Sequence, residues 1–209
     1  MTSGGRELAK WLALVLMTGD HVNKVLFAGA LPWLTELARV CLPIFAVVLV
    51  YNLANASPGA TARAFLRLVL AGLVVQPLHA LAFGYWLPLN VLLTLALGIY
   101  ICSTQSLWGA LLAWSVLGFF VDFQWAGPAI MLAACCWFRR PGWVTAGYVL
   151  AAFAALCWWN GNAWALLALP ILWALGRVDV PIPRVRWLFL AYYVGHLAVL
   201  AVLAAWLGV

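Results

Sequence analysis

The chain has 209 residues, of which 68% are hydrophobic and 8% charged, and its mean hydropathy is +1.08. Soluble domains are about a quarter charged, so an ordinary globular protein is excluded and the repeated apolar runs point to a helical integral membrane protein. The formal charge of +6 is not gathered into a basic stripe or joined to a stacking module, so no nucleic acid is expected as a partner.

In chain order, hydrophobic segments fall at about 9–28, 33–53, 64–83, 88–102, 107–120, 126–138, 143–159, 163–176 and 187–207. They predict an all-α, polytopic membrane protein with about nine transmembrane helices. The fourth, fifth, sixth and eighth fall short of the ~20 residues of a perpendicular span, so tilted, re-entrant or buried helices are expected there. The first segment follows Arg6 and Lys10 and ends at Ala28-Gly29-Ala30, as a cleaved signal peptide would. Asp20, His21 and Lys24 interrupt it where a signal peptide is most apolar, so a retained first span is expected. No internal repeat, low-complexity tract or long linker divides the chain, and residues 1–209 read as a single membrane-embedded domain.

The connections alternate in charge. Arg6, Lys10, Arg63, Arg67, Arg139, Arg140, Arg177, Arg184 and Arg186 belong to one set of ends, while the other set has no basic residue. The positive-inside rule places the amino terminus in the cytoplasm and, with nine spans, the carboxyl terminus outside. Trp33, Trp86, Trp125, Trp158 and Trp159 gather at the outer ends, as an interfacial aromatic belt does. Cys41, Cys102, Cys135, Cys136 and Cys157 lie in apolar segments without metal-ligand spacing. Free buried thiols are expected, and no metal.

Within this apolar chain, Met17-Thr18-Gly19-Asp20-His21-Val22-Asn23-Lys24 places a carboxylate, an imidazole, an amide and an ammonium inside the first span. Ionisable groups there cost a few kcal/mol each and by default face an interior and serve function. At 1.5 Å per residue, Asp20, His21, Lys24, Arg39, Gln76, His79, Asn90 and His196 lie near one level, with Asp122 in an outer turn. A shared, outward-opening polar cavity accounts for that coincidence. Single residues have plainer readings. Asp20 with Lys24, one helical turn apart, also reads as a packing ion pair, and His79 and His196 as satisfied structural histidines. Lys10 lies eleven residues before His21, which returns to the same face about 16 Å away.

Met17-Thr18-x-Asp20-His21, followed by Arg39-x-x-x-Pro43-Ile44-Phe45-Ala46, resembles the opening of the TraX family, membrane proteins linked to N-terminal acetylation of conjugative pilin. Arg63-x-x-x-Arg67, Gln76-Pro77, Leu89-Asn90-x-x-x-Thr94-Leu95-x-Leu97-Gly98 and Tyr192-Tyr193-x-x-His196-Leu197 continue the likeness over most of the chain. That family in turn resembles the integral-membrane acyltransferases that acetylate cell-surface sugars. These place a basic residue eleven positions before a first-span histidine, matched by Lys10 and His21, where Lys replaces the more usual Arg. Arg63 and Arg67 resemble their cytoplasmic arginine pair at a looser spacing.

The resemblance implies an acyltransferase of the bacterial inner (cytoplasmic) membrane. It would move an acetyl group from cytoplasmic acetyl-coenzyme A, a co-substrate rather than a cofactor, to the amino-terminal amine of an inserted pilin. His21 is then the expected general base, because an α-amine with a reference pKa near 8 must lose a proton before it attacks. Asp20 would orient the imidazole, pair with Lys24 or hold the cationic amine. Lys24 or Arg39 would stabilise the oxyanion, with Gln76, His79, Asn90 and His196 binding substrate. Arg63, Arg67, Arg139 and Arg140, with Lys10, would hold the donor's phosphates. The remaining partners are membrane lipid and pilin. The competing readings are an acyltransferase acting on a glycan or lipid, a non-catalytic pilin-binding protein, and a proton-coupled transporter, for which the expected inverted repeat is missing.

Overall fold

The computed structural model describes residues 1–57, 59–185 and 187–208, and is helical with no strands among them. Arg186 of the basic set lies outside the described residues. Each expected hydrophobic segment coincides with a helical segment. Four of these are both long and apolar enough to cross a membrane: Pro32–Ala54, Ala60–Phe83, Trp143–Asn160 and Leu188–Leu207.

Helix α1 (Ser3–Leu26) starts six residues before the expected edge, because Thr2 caps it. The Thr2 hydroxyl accepts from the Gly5 amide at 3.0 Å, satisfying a donor that a helix start leaves free. With 24 residues, α1 is about 36 Å long. It is the most charged helix of the chain, carrying Arg6, Glu7, Lys10, Asp20 and Lys24.

The second segment is broken where the hydropathy profile shows one span. A short α2 (Pro32–Leu37) passes through a tighter 3₁₀ turn (Ala38–Val40) into α3 (Cys41–Ala54). Pro43 explains the break: it has no N–H for the Arg39 carbonyl, and its ring would strike that carbonyl in a regular helix. The break leaves Arg39 at a change of helical phase.

Helix α4 (Ala60–Phe83) carries Pro77 inside it, and α5 (Val91–Ser103) begins at Asn90, whose side chain accepts from the Leu92 amide. Helix α6 (Leu107–Leu112) widens into a π turn (Ala113–Leu117). Then follow α7 (Ala126–Arg139), α8 (Trp143–Asn160), a 3₁₀ turn (Trp164–Leu167) with α9 (Ala168–Leu175), and α10 (Leu188–Leu207). The 13-residue α5 is only about 20 Å long, well short of a ~30 Å hydrocarbon core.

Six helices pack in a ring, α1 to α3 to α7 to α5 to α4 to α10 and back to α1. α8 lies outside on α7, α6 on α5, and α9 against α1 and α3. Ile44, Ile99, Ile130, Met131, Phe153 and Leu197 fill the interior. Trp33, Trp86, Trp125, Trp158 and Trp159 are all exposed, the position an aromatic belt needs. All five cysteines are free.

The two ends of the ring differ. At one end the amino terminus reaches the Tyr51 hydroxyl (3.1 Å), Arg6 binds Asn52 (2.7 Å), Thr2 binds the Gly176 carbonyl (3.0 Å), and Arg139 binds the Cys102 carbonyl (3.0 Å). These contacts bring the start of α1 together with the ends of α3 and α9, and the end of α7 to that of α5. The alternation of basic connections is thereby realised as one basic end. At the other end Leu89 pairs in parallel with Val121, tying the loop before α5 to the turn before α7.

Candidate functional site

Away from the basic end, a cavity of about 110 Å³ opens between α1, the Ala38–Val40 turn, α4 and α10. Its polar lining is Asp20, His21 and Lys24 from α1, Thr35 from α2, Arg39 from the 3₁₀ turn, His79 from α4, Tyr85, and Asp122. Met17, Phe45, Phe83 and Tyr193 supply apolar walls. Side chains from both ends of the sequence thus share one chamber.

His21 is held by α10. Its Nδ1 lies 2.9 Å from His196 Nε2, with the rings nearly parallel at 13°, and His196 Nδ1 lies 2.9 Å from the Tyr192 carbonyl oxygen. A carbonyl only accepts, so His196 Nδ1 carries its proton and, in the neutral ring, Nε2 accepts. His21 Nδ1–H must then donate, leaving His21 Nε2 with a free lone pair. Phe83 packs edge-on to His21 at 5.2 Å, and Tyr192 stacks on His196 at 5.2 Å. The Tyr192 hydroxyl is also tied, 2.9 Å from Thr18 Oγ1. The arrangement is a base whose ring orientation and tautomer are both set.

Asp20 is not the partner of His21. Lys24 Nζ donates to Asp20 Oδ2 at 2.6 Å and Thr35 Oγ1 donates to Asp20 Oδ1 at 2.7 Å, so both carboxylate oxygens are engaged. Successive helical residues diverge by about 100°, which sends Asp20 toward α2 and His21 toward α10. Asn23, fully buried, grips the turn after α1: its amide donates to the Leu31 carbonyl and its oxygen accepts from the Leu31 amide, both at 2.9 Å.

Gln76 and Asn90 are outside the cavity lining. Gln76 Nε2 donates to the Trp86 carbonyl at 2.8 Å, while its Oε1 accepts from both the Asn90 amide (2.9 Å) and side chain (2.8 Å). Asn90 Nδ2 also donates to the Gly72 carbonyl at 2.8 Å. These amides hold the Gly84–Asn90 loop onto α4.

His79 is buried against Phe83 and Tyr85. Its Nδ1, like Arg39 Nε, is buried with no hydrogen-bond partner among the described residues. Asp122 lies in a turn where Phe123 and Gln124 both have left-handed φ, 59° and 43°. Its Oδ1 accepts from the Phe123 amide at 2.9 Å, and Thr94 Oγ1 fixes its backbone carbonyl at 3.0 Å. Burial pushes the Asp122 carboxyl up to about 6.

The expected donor-binding cations are spread across the basic end. Lys10 pairs with the buried Glu7 at 2.7 Å and lies over the Phe189 ring at 4.4 Å. Arg67 donates to the Arg63 carbonyl and lies over Trp187 at 5.4 Å. Arg63, Arg139 and Arg140 are exposed. The α7 pair and the α4 pair stand on either side of α5. Among the described residues, no group of three His, Cys, Asp or Glu side chains gathers that could hold a metal ion.

Thr35, Tyr85 and Asp122 are lining residues that the sequence motifs do not single out. Depth alone signalled Asp122, whereas Thr35 comes to Asp20 only through the fold-back at Phe27–Leu31.

A family model described as TraX protein matches residues 5–204. The chain belongs to the TraX family. This family is associated with the processing of conjugative pilin, and the membrane-competent helices agree with that setting. Neither the search of curated proteins nor the search of solved structures returned a match. The likeness of Met17-Thr18-x-Asp20-His21 and of Tyr192-Tyr193-x-x-His196 to this TraX pattern corresponds to two stretches that meet at one wall of the cavity.

Proposed function

We propose that this TraX protein is an inner-membrane acetyltransferase, with its amino terminus in the cytoplasm, that acetylates the amino-terminal amine of a membrane-inserted conjugative pilin. The observation that carries the reading is His21 Nε2, left as a lone-pair acceptor beside a polar cavity while Nδ1 is fixed on His196. Acetyl transfer to an amine needs such a group, since the attacking nitrogen must shed a proton.

In the reaction, His21 Nε2 takes a proton from the ammonium. The freed nitrogen pair forms a bond to the thioester carbonyl carbon, and the carbonyl pair moves to oxygen. Arg39, whose Nε–H has no partner among the described residues, stabilises that oxyanion or positions the acceptor next to it. Collapse of the intermediate breaks the C–S bond and the thiolate leaves with the proton held by the histidine, while the second proton of the attacking nitrogen returns to His21 Nε2 and passes to water, so that one proton is released overall. The donor's phosphates meet cations of the basic end, with Arg63 and Arg67 the best candidates beside Trp187. Its acetyl-bearing arm then rises between α1, α4 and α10 toward His21.

The test is intact-mass analysis of pilin made with wild-type protein and with His21→Ala. The variant should still insert in the membrane, and its pilin should lack one acetyl group. Fully acetylated pilin in that strain removes His21 from the mechanism. An acetylated lipid or glycan with unmodified wild-type pilin would move the acceptor to that class.

A further inference from the structure

The charges around the cavity do not all cancel locally. Asp20 and Lys24 neutralise each other, and Thr35 completes Asp20. Asp122 and Arg39 line the same cavity, yet the ion pairs among the described residues are Glu7–Lys10 and Asp20–Lys24 only. Asp122 and Arg39 are therefore held apart by more than a salt-bridge distance. Asp122 Oδ2 has no partner among the described residues, and Arg39 Nε and His79 Nδ1 are buried without one. A buried unpaired charge is costly, and a buried unmet donor costs about 1–3 kcal/mol. The half-buried Asp122 oxygen and two buried polar nitrogens line one small chamber, an arrangement that suits a ligand carrying a cation beside an oxygen acceptor.

We infer that Asp122 and Arg39 form a two-point receptor for a peptide amino terminus, Asp122 taking the α-ammonium and Arg39, with His79, taking the neighbouring carbonyl oxygen. This deepens the acetyltransferase reading and rests on it for the choice of acceptor. The two groups of an amino-terminal residue lie a few bonds apart, so both fit a cavity of about 110 Å³. A phosphoethanolamine headgroup also carries an amine, but its phosphate calls for more than one cation. Here Lys24 is already bound to Asp20, and among the described lining residues Arg39 is the other cation. A sugar hydroxyl gives the carboxylate no charge to meet. Burial raises the proton affinity of Asp122, although Lys24 and Arg39 act against it. Asp122 thus holds the amine before His21 deprotonates it, which makes it a specificity-determining residue.

The experiment measures binding without acetyl-coenzyme A, so it is separable from catalysis. Calorimetry in detergent compares an apolar spanning peptide that begins Gly-Gly with a free amino terminus against the same peptide N-acetylated. The wild-type protein should bind the free amine at least about tenfold more tightly, the scale of one charge-assisted hydrogen bond. Asp122→Asn, which keeps the acceptor for the Phe123 amide, should abolish the preference. Arg39→Gln should weaken the free-amine peptide about tenfold. Equal wild-type affinity for the two peptides, or a preference that survives Asp122→Asn, overturns the proposal. The wild-type comparison decides even where a variant fails to fold. Displacement of the peptide by phosphoethanolamine at equal concentration also overturns it. A protein that prefers the free amine but transfers no acetyl group keeps this receptor and loses the transferase reading. One that transfers acetyl yet binds both peptides alike loses only the receptor.

Discussion

Replacing His196 separates a positioning role from a structural one. In the wild-type protein His21 Nδ1–H meets His196 Nε2 at 2.9 Å, and that bond decides which His21 nitrogen carries the lone pair. His196→Ala removes the acceptor. The His21 N–H is then left unsatisfied in a buried place at a cost of about 1–3 kcal/mol, or the ring turns and the proton moves to Nε2. Either outcome removes the base from its working geometry. A loss of 2–3 kcal/mol in the transition state corresponds to about 30- to 150-fold in rate, which reaches the lower end of the 10²–10⁴ that general base catalysis supplies. His196→Gln provides the control. Its amide oxygen can accept from His21 Nδ1 while its amide nitrogen donates to the Tyr192 carbonyl, as the native ring does at 2.9 Å.

The assay is a time course of pilin acetylation by intact mass in membranes carrying matched amounts of each variant. We expect kcat to fall about 100-fold for His196→Ala with KM nearly unchanged, and to stay within about tenfold of wild type for His196→Gln. An unchanged rate in His196→Ala refutes the tautomer argument. So does a Gln variant as slow as the Ala variant, since packing of the ring on Tyr192 would then be what matters.

Gly5→Ala should lower the melting temperature of the detergent-purified protein, because an added Cβ falls on the Leu175 carbonyl oxygen and overpacking costs about 1–3 kcal/mol. Helix propensity predicts the opposite, a gain of about 1 kcal/mol, so a rise in melting temperature would rule out the backbone contact. Asn23→Ala deletes both bonds to Leu31 and should destabilise by about 2–3 kcal/mol, with faster proteolysis confined to residues 27–31; unaltered cleavage there counts against the clamp. Lys24→Met leaves the buried Asp20 carboxylate with Thr35 alone. A loss of about 1–2 kcal/mol is expected, since Lys24 itself is partly exposed. Adding Asp20→Asn should recover most of it, and a double variant no better than the single would show that the pair does not balance charge.

Local signals revealed the helices, and of the polar residues expected near one depth, Asp20, His21, Lys24, Arg39 and His79 line the cavity. Hydropathy found the helical segments because each is dominated by Leu, Val, Ala and aromatic residues. It missed the first turn and a half of α1, where Arg6 and Glu7 are helical through the Thr2 cap and the packing of residues 176–184. It read 33–53 as one span, as Pro32–Ala54 is by length and hydropathy, but it did not show the tighter turn at Ala38–Val40 that brings Arg39 to the cavity. Common depth could not say which polar groups were free. Gln76 and Asn90 are expected at the level of His21, yet their amides are consumed by backbone carbonyls of α4 and its following loop. The pairing of His21 with His196, 175 residues apart, has no local signature in either stretch. Neither does the joining of Asp20 to Thr35, which depends on how the chain folds back between α1 and α2.

The orientation of α1 about its own axis links these observations. Asp20 and His21 are adjacent, so a rotation by one residue's ~100° would send the carboxylate toward α10 and the imidazole away from His196. Two contacts at opposite ends prevent that rotation. At the base, Gly4 and Gly5 let α1 lie directly against the backbones of Val180 and Leu175, and no other residue permits that approach. At the top, Asn23 is bonded twice to Leu31. Neither contact touches the cavity, yet both decide which face of the helix enters it. A variant at either place should therefore change the catalytic rate through the angle of His21, with the two defects compounding because they act on one rotation.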